Sequence, residues 1–255
     1  TGLGARAAEH AHGGADVAQP FGRLDELCHN AEHPPGLAGA GGGLLGTHHL
    51  GLTPVCAVEL ELHRRCVLAQ RQNDGCLPPF PVWDDIRTFD ARAWRGVVDI
   101  VSGGFPCQAF STAARGRNNA EDLWPEMLRV VADAAPRYVF AENVSAEAVE
   151  AAASDLQSLG YKAAVLPLSA SDLGADHVRE RHWLLAHPDD KGELRRLVNA
   201  KVAERPGLRP GLWQADPGGA RMADGLAPRM ERYAATGNGQ VPAVAAAALW
   251  ALANA

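Results

Sequence analysis

The sequence predicts an α/β protein built on a mostly parallel sheet covered by helices. Three observations predict it. From Gly36 onward, apolar runs of strand length alternate with stretches of helical period. Val97–Val101 is apolar almost throughout, as a strand buried on both faces is, and it breaks into the loop Ser102-Gly103-Gly104. A length of 255 residues, 47% of them hydrophobic, suffices for a large buried core. The same composition excludes a collagen-like, coiled-coil or wholly disordered chain. No run of about 18 apolar residues is present, so no membrane span is expected. The N-terminus lacks the basic-then-apolar layout of a secretory signal, and an opening Thr1 is expected of a fragment or a processed product.

Residues 1–33 are rich in Ala, Gly and His without sustained period and read as a disordered or poorly packed tail. His10, His12, His29 and His33 lack the spacing of a zinc site, and no metal is expected. Thr53–Val58 reads as a strand, and Leu62, Cys66 and Ala69 give the stripe of the helix after it. A third strand should end near Asp84-Asp85-Ile86. Asn119 is placed to cap a helix carrying Leu123, Met127, Val130, Val131 and Ala134 on one face. Tyr138–Ala141 is the next strand, followed by a helix over roughly 146–159 and strands near Ala163–Leu166 and Trp183–Ala186. Pro206-Gly207, Pro210-Gly211 and Pro217-Gly218-Gly219 make the stretch from Pro188 loop-rich, with a short helix near Leu194–Ala203. Pro242 opens an Ala-rich terminal helix.

Net charge is −6 but uneven: His177–Arg232 holds 11 Lys/Arg against 8 Asp/Glu, a local +3, leaving −9 elsewhere. A basic segment on an acidic body can face a polyanion, and uneven solvated charge accounts for the count equally well. Five cysteines, Cys28, Cys56, Cys66, Cys76 and Cys107, form no CxxC pair. They point to a reduced cytoplasmic protein with at least one thiol free for chemistry.

Chemistry concentrates in four places. Gly39–Gly46 contains a GxGxxG at Gly41, Gly43 and Gly46, with Glu59 closing the next strand. Glycines there admit a ligand to the backbone, and such a carboxylate can hold both ribose hydroxyls, although Ala/Gly-rich chains produce this match by chance. Ser102–Gln108 places Cys107 in a Gly/Pro turn just past a buried strand, the edge where open α/β sheets carry reactive groups. Ala141-Glu142-Asn143-Val144 ends the following strand, so adjacent strands bring Glu142 near Cys107, a nucleophile and an acid for one ring. The bland alternative for Glu142 is a helix cap. Arg179 and Arg181 precede the strand at Trp183 with the spacing of one face, although such pairs are usually solvated.

Taken in order, these segments resemble the cytosine-5 DNA methyltransferase family, closest to its bacterial and phage members. The resemblance rests on the Gly-rich loop at Ala38–Gly43, Glu59, Asp85, Pro106-Cys107-Gln108, Glu142-Asn143-Val144, Arg179 with Arg181, and Gly237–Pro242. It runs from about Leu37 to the C-terminus. It implies a doubly wound, Rossmann-like methyltransferase fold over 34–187 and 232–255, with a small target-recognition module at 188–231. S-adenosylmethionine is the implied methyl donor, met by Leu37, Ala38, Gly39, Gly41, Gly43, Glu59, Asp85, Ile86, Pro106, Leu123 and Asn238. Cys107, Glu142, Arg179 and Arg181 are the implied catalytic residues. Gln108, Ser111, Arg195, Arg196 and Arg209 are implied contacts to double-stranded DNA, and Lys201 and Arg205 can also reach phosphates. A monomer working in the cytoplasm of a bacterial or phage-infected cell, as in restriction-modification, completes the picture.

Two stretches depart from the family pattern. Where a buried strand ending in Asp-Leu-Phe leads into the Gly loop, this chain has Glu32-His33-Pro34-Pro35-Gly36-Leu37. Two prolines remove ladder donors, so an irregular first strand and altered donor affinity are expected. Asn118–Asp122 also lacks the Arg-Ser-Gly common before Leu123. Three other readings compete: tRNA as the substrate, a nicotinamide oxidoreductase using the GxGxxG, and a catalytically impaired DNA-binding remnant. The oxidoreductase leaves Pro-Cys-Gln, Glu-Asn-Val and Arg-x-Arg without a joint purpose.

Overall fold

In chain order the helices and strands of the protein are α1 (Gly42–His49), β1 (Ala57–Val58), α2 (Leu62–Asn73), β2 (Val82–Trp83), β3 (Ile100–Gly104), α3 (Trp124–Ala134) and β4 (Tyr138–Asn143). They continue with α4 (Ala146–Ser158), β5 (Lys162–Ser169), β6 (Glu180–His187), α5 (Gly192–Glu204) and α6 (Pro242–Asn254). The computed structural model describes residues 41–105, 122–175, 177–204 and 240–255. The tail at 1–33 and the irregular segment at 32–37 lie outside the described residues, as does the stretch from 205 to 239.

The main sheet has the order β3-β4-β6-β5, with β3 and β4 parallel and β6 antiparallel to both β4 and β5. Three of its four strands therefore share one direction, which makes this an α/β fold with a mostly parallel sheet. β1 and β2 form a separate parallel pair. One reversed strand is compatible with the mostly parallel sheet that the sequence predicts. A strand that follows β5 after only a short connection, with one turn of 3-10 helix at Ser171–Leu173, has no room for a helical crossover and must run back.

β4 is buried at all six positions and feeds two cores by alternation. Val139 and Ala141 join Met127, Val130 and Val131 of α3 and Val149, Ala152 and Leu156 of α4 on one face. Tyr138 and Phe140 join Trp183 and Leu185 of β6, Leu194 and Val198 of α5, and Val244, Ala248 and Leu249 of α6 on the other. Helices thus cover both faces, which is double winding. α6 is Ala-rich because it packs closely, and Leu249, Ala248 and Ala245 are fully buried.

Several boundaries differ from the sequence reading. β3 starts at Ile100, not Val97, because Val97 is exposed and belongs to the turn after Trp94. Only Ala57–Val58 of the Thr53–Val58 run is strand. α3 begins at Trp124 with Leu123 at its N-cap, so Asn119, outside the described residues, does not cap it. Asp122 Oδ1 accepts from the Trp124 amide at 2.9 Å instead, and Pro125 occupies the first turn, where its missing donor is harmless. α4 is capped by Ser145, whose Oγ accepts from the Ala148 amide at 3.2 Å. Among the described residues, no helix is long and apolar enough to cross a membrane.

Candidate active site

The site is set by strand register. Gly104, the last residue of β3, lies opposite Glu142 on β4, and Glu142 in turn lies opposite Trp183 on β6. Because β6 runs backwards, its beginning reaches the edge where β3 and β4 end. Arg181 therefore meets Glu142, with its Nε 3.0 Å from Glu142 Oε1. A parallel strand would have carried that cation to the opposite edge. Arg179 is anchored beside it, its amide donating to Ser169 Oγ at the end of β5 at 3.0 Å.

Glu142 is buried, with its second oxygen, Oε2, accepting from Gln240 Nε2 at 2.9 Å. Burial pushes its carboxyl above the usual carboxylate range, opposed by the Gln240 bond and by the charges of Arg181, Arg179 and His182. Burial also lowers Arg179, assisted by the neighbouring Arg181 charge and resisted by Glu142. The helix-cap reading of Glu142 fails, since Ser145 is the cap and Glu142 points into this cluster. A buried acid that holds its proton to higher pH than a solvated glutamate, beside two arginines, suits proton delivery to a bound heteroatom.

Asn143 does work that the sequence reading gave to no residue. Its Nδ2 donates to the Phe105 carbonyl at 2.8 Å, and its Oδ1 accepts from the Ser145 amide at 3.0 Å. Phe105 itself packs on Trp124, ring centroids 4.8 Å apart. The chain is thus fixed at the residue before Pro106-Cys107. Cys107 lies outside the described residues, together with Pro106, Gln108 and Ser111. The described thiols that remain free are Cys56, buried, and Cys76, exposed. Burial raises the Cys56 thiol far above its ordinary value, which removes it as a nucleophile.

Gln240 is the second residue whose part went unread. It stands in the quoted Gly237–Pro242 segment, where it and Asn238 are the two side-chain amides in a run otherwise of glycine, valine and proline. Gly41 adopts φ 73° and begins α1, and the helix then lies directly against the C-terminal segment. A Cβ on Gly42 would overlap the Gln240 carbonyl oxygen, one on Gly43 would overlap Gln240 Oε1, and one on Gly46 would overlap the Pro242 carbonyl oxygen. The glycines thus have a use beyond admitting a ligand: they let α1 approach residues 240–246. Replacing Gly42 by Ala should destabilise the protein by about 1–3 kcal/mol, because the clash is with backbone. Urea denaturation measures it, and an unchanged midpoint would show that the contact yields freely.

Gly43, Leu44, Ser102, Gly103, Gly104 and Gln240 line a cavity between α1 and the carboxyl edge of β3. Its walls are glycine where a side chain would fill it: a Cβ on Gly104 would stand 2.9 Å from Glu142 Oε2. As it stands this space between the glycine helix and the sheet edge holds little more than a water molecule. Glu59 is fully buried just after β1, its Oε1 accepting from the Glu61 amide at 3.0 Å and lying 3.6 Å from Arg64 Nη1. Asp85 caps a 3-10 turn and is gripped by Arg87, Nη2 to Oδ2 at 2.7 Å, which holds its carboxyl below the usual range. Ile86 and Leu123 are buried. Leu37, Ala38, Gly39 and Asn238 lie outside the described residues. Arg195 and Arg196 are exposed on α5, which packs on α6 through hydrogen bonds joining Asn199 to Trp250 and Asn254. Lys201 is half-buried on the same helix, and Arg205 and Arg209 lie outside the described residues. No cluster of metal-ligating side chains occurs among the described residues.

Comparison with known proteins finds relatives of the chain. A family model described as C-5 cytosine-specific DNA methylase matches residues 37–209. The Type II methyltransferase M.NgoMIV of Neisseria gonorrhoeae is 29% identical over 158 residues, 58% of this chain and 49% of that protein. M1.HphI of Haemophilus parahaemolyticus is 32% identical over 178 residues, 62% of this chain and 45% of that protein. The solved Dnmt2 methyltransferase of S. pombe superposes with a TM-score of 0.46 at 21% identity, over 61% of this chain and 50% of that one. The chain spans about half the length of these curated relatives.

Proposed function

Since the chain belongs to the C-5 cytosine-specific DNA methylase family, we propose that it transfers a methyl group from S-adenosylmethionine to carbon 5 of a cytosine in duplex DNA. The observation that carries the proposal is the buried Glu142, opposite Gly104 at the end of β3 and paired with Arg181, with Cys107 three residues after Gly104 in the sequence.

Carbon 5 of cytosine is a weak nucleophile and needs covalent activation. The Cys107 thiolate adds to carbon 6, and Glu142 delivers its proton to ring nitrogen 3, so that electron density is released onto carbon 5. Arg181 and Arg179 favour the thiolate and hold the base's carbonyl oxygen. After transfer, loss of the carbon 5 proton drives elimination of Cys107 and restores the ring. The donor, when bound, supplies a sulfonium methyl of high electrophilicity. It would lie along the glycine-lined edge at Gly43 and Ser102–Gly104, with Gly41, Glu59, Asp85, Ile86 and Leu123 the other described residues among its expected contacts. Glu59 and Asp85 would have to release Arg64 and Arg87 in part to engage it. Inside a duplex these base atoms are inaccessible, so the cytosine must be flipped out, at a few kcal/mol. Arg195 and Arg196, exposed on α5, suit phosphate contact.

Duplex DNA carrying 5-fluorocytosine tests the reading, because fluorine cannot leave as a proton does. With S-adenosylmethionine present, the wild-type chain should form a covalent complex stable to denaturing electrophoresis, and Cys107→Ala should form none. No complex with duplex DNA, together with methyl transfer to tRNA, would overturn the DNA assignment. No complex with either would favour a binding protein without catalysis.

A further inference from the structure

Gln240 sits where three parts of the site meet. Its main chain presses on Gly42, its Oε1 on Gly43, and its Nε2 donates to Glu142 Oε2 at 2.9 Å. Arg181 Nε serves the other oxygen at 3.0 Å. Both carboxyl oxygens therefore receive donors, which favours the ionised form. A group that must carry a proton has to give up one donor, and the two differ in kind. A guanidinium has no acceptor to offer, whereas a primary amide turned half a revolution presents a carbonyl oxygen in place of its NH2.

We propose that Gln240 is a positioning residue that sets the protonation of Glu142 according to how α1 is seated. With Nε2 toward Glu142 the carboxylate is held ionised and aligned. With Oε1 toward it, the amide accepts from the protonated carboxyl and keeps that proton on the base side. The amide's freedom to turn depends on Gly43, because Oε1 is lodged against that residue. Whatever shifts α1 therefore reaches the acid through one side chain. The charged groups facing Glu142 are Arg181 and His182 from β6 and Arg179 just before it. β3 offers only Gly104 opposite. Among the described residues Gln240 is the one uncharged hydrogen-bond partner the acid's side chain has. The proposal rests on Glu142 being the proton carrier.

Carboxyl carbon NMR of the full chain, labelled at glutamate, reads the Glu142 titration directly, with Glu142→Gln identifying the resonance. Gln240→Met keeps the side-chain length and removes the amide. Its loss of a donor to the carboxylate should raise the Glu142 midpoint by roughly half to one pH unit. Gly43→Ala, whose new methyl group displaces the amide, should raise it in the same direction, and the two changes together should not add. A midpoint unchanged or lowered in folded Gln240→Met overturns the proposal. A rise there with none in Gly43→Ala overturns the link to α1. Should Gln240→Met not fold, Gly43→Ala decides alone, an unmoved midpoint counting against. Methyl transfer by the wild-type chain is measured in parallel. Its absence would sink the assigned activity without moving these midpoints, so the two failures are distinct.

Discussion

Glu142→Gln should lower methyl transfer about 10²–10⁴-fold while the protein stays folded. The amide has the shape of the acid and can still accept from Arg181 through its oxygen, so the cluster loses a transferable proton and little else. Single-turnover transfer of labelled methyl to duplex DNA measures the effect, with circular dichroism to verify folding. A rate near that of wild type would remove Glu142 from the chemistry. The sign of the pH dependence follows from its environment. Burial raises the folded-state carboxyl above its ordinary value, so the proton survives to higher pH than on a solvated glutamate. Activity that needs the protonated acid is present below that raised value and lost as pH climbs through it. The alkaline limb of kcat should therefore belong to Glu142 and be missing from the residual activity of Glu142→Gln. The same shift has a stability consequence of like sign: Glu142 favours the folded state below its unfolded value, and that contribution fades as pH rises through the folded one.

Trp183→Ala should destabilise the fold by about 3–5 kcal/mol. Trp183 is 1% exposed, stacks on Phe140 with centroids 5.4 Å apart, and sits opposite Glu142 in the register of β4 and β6. Its removal opens a cavity under α6 that the small side chains of Ala245 and Ala248 cannot fill. Trp183→Phe should be far milder, about 1 kcal/mol or less, because the indole Nε1 finds no hydrogen-bond partner among the described residues and its loss strands no acceptor. Thermal or urea unfolding gives both values. Equal losses for the two substitutions would mean that the indole hydrogen bonds after all.

The β–α alternation was legible because its period is local: α4, with Ser145 ahead of an apolar stripe, could be bounded almost to the residue. Glu142, Arg179 and Arg181 were legible as residues through family resemblance, and the register of β3 with β4 sets Glu142 opposite Gly104. What could not be read was long-range. No local signal marks β6 as reversed, since an apolar run has the same pattern in either direction. Asp85 and Arg87 lie two apart, yet that they grip one another depends on the 3-10 turn between them. The close approach of Gly42 and Gly43 to Gln240 joins residues far apart in the sequence, and only packing reveals it. Asn119 was misread for a simpler reason: a good capping residue stood near a good helix, while Asp122 and Pro125 stood nearer.

That union of early and late residues bears on how the protein is made. α1 leaves the ribosome among the first of the described elements, and its glycine face has no partner until residues 240–246 emerge. Until then the helix is short, glycine-rich and intrinsically weak. Joining the ends closes a loop of nearly the whole chain, a contact of high sequence separation that forms slowly. Nascent chains stalled before that point should therefore hold a packed β4–α4 region and an unformed contact between α1 and α6, so that synthesis itself delays completion of the site until residues 240–246 have emerged.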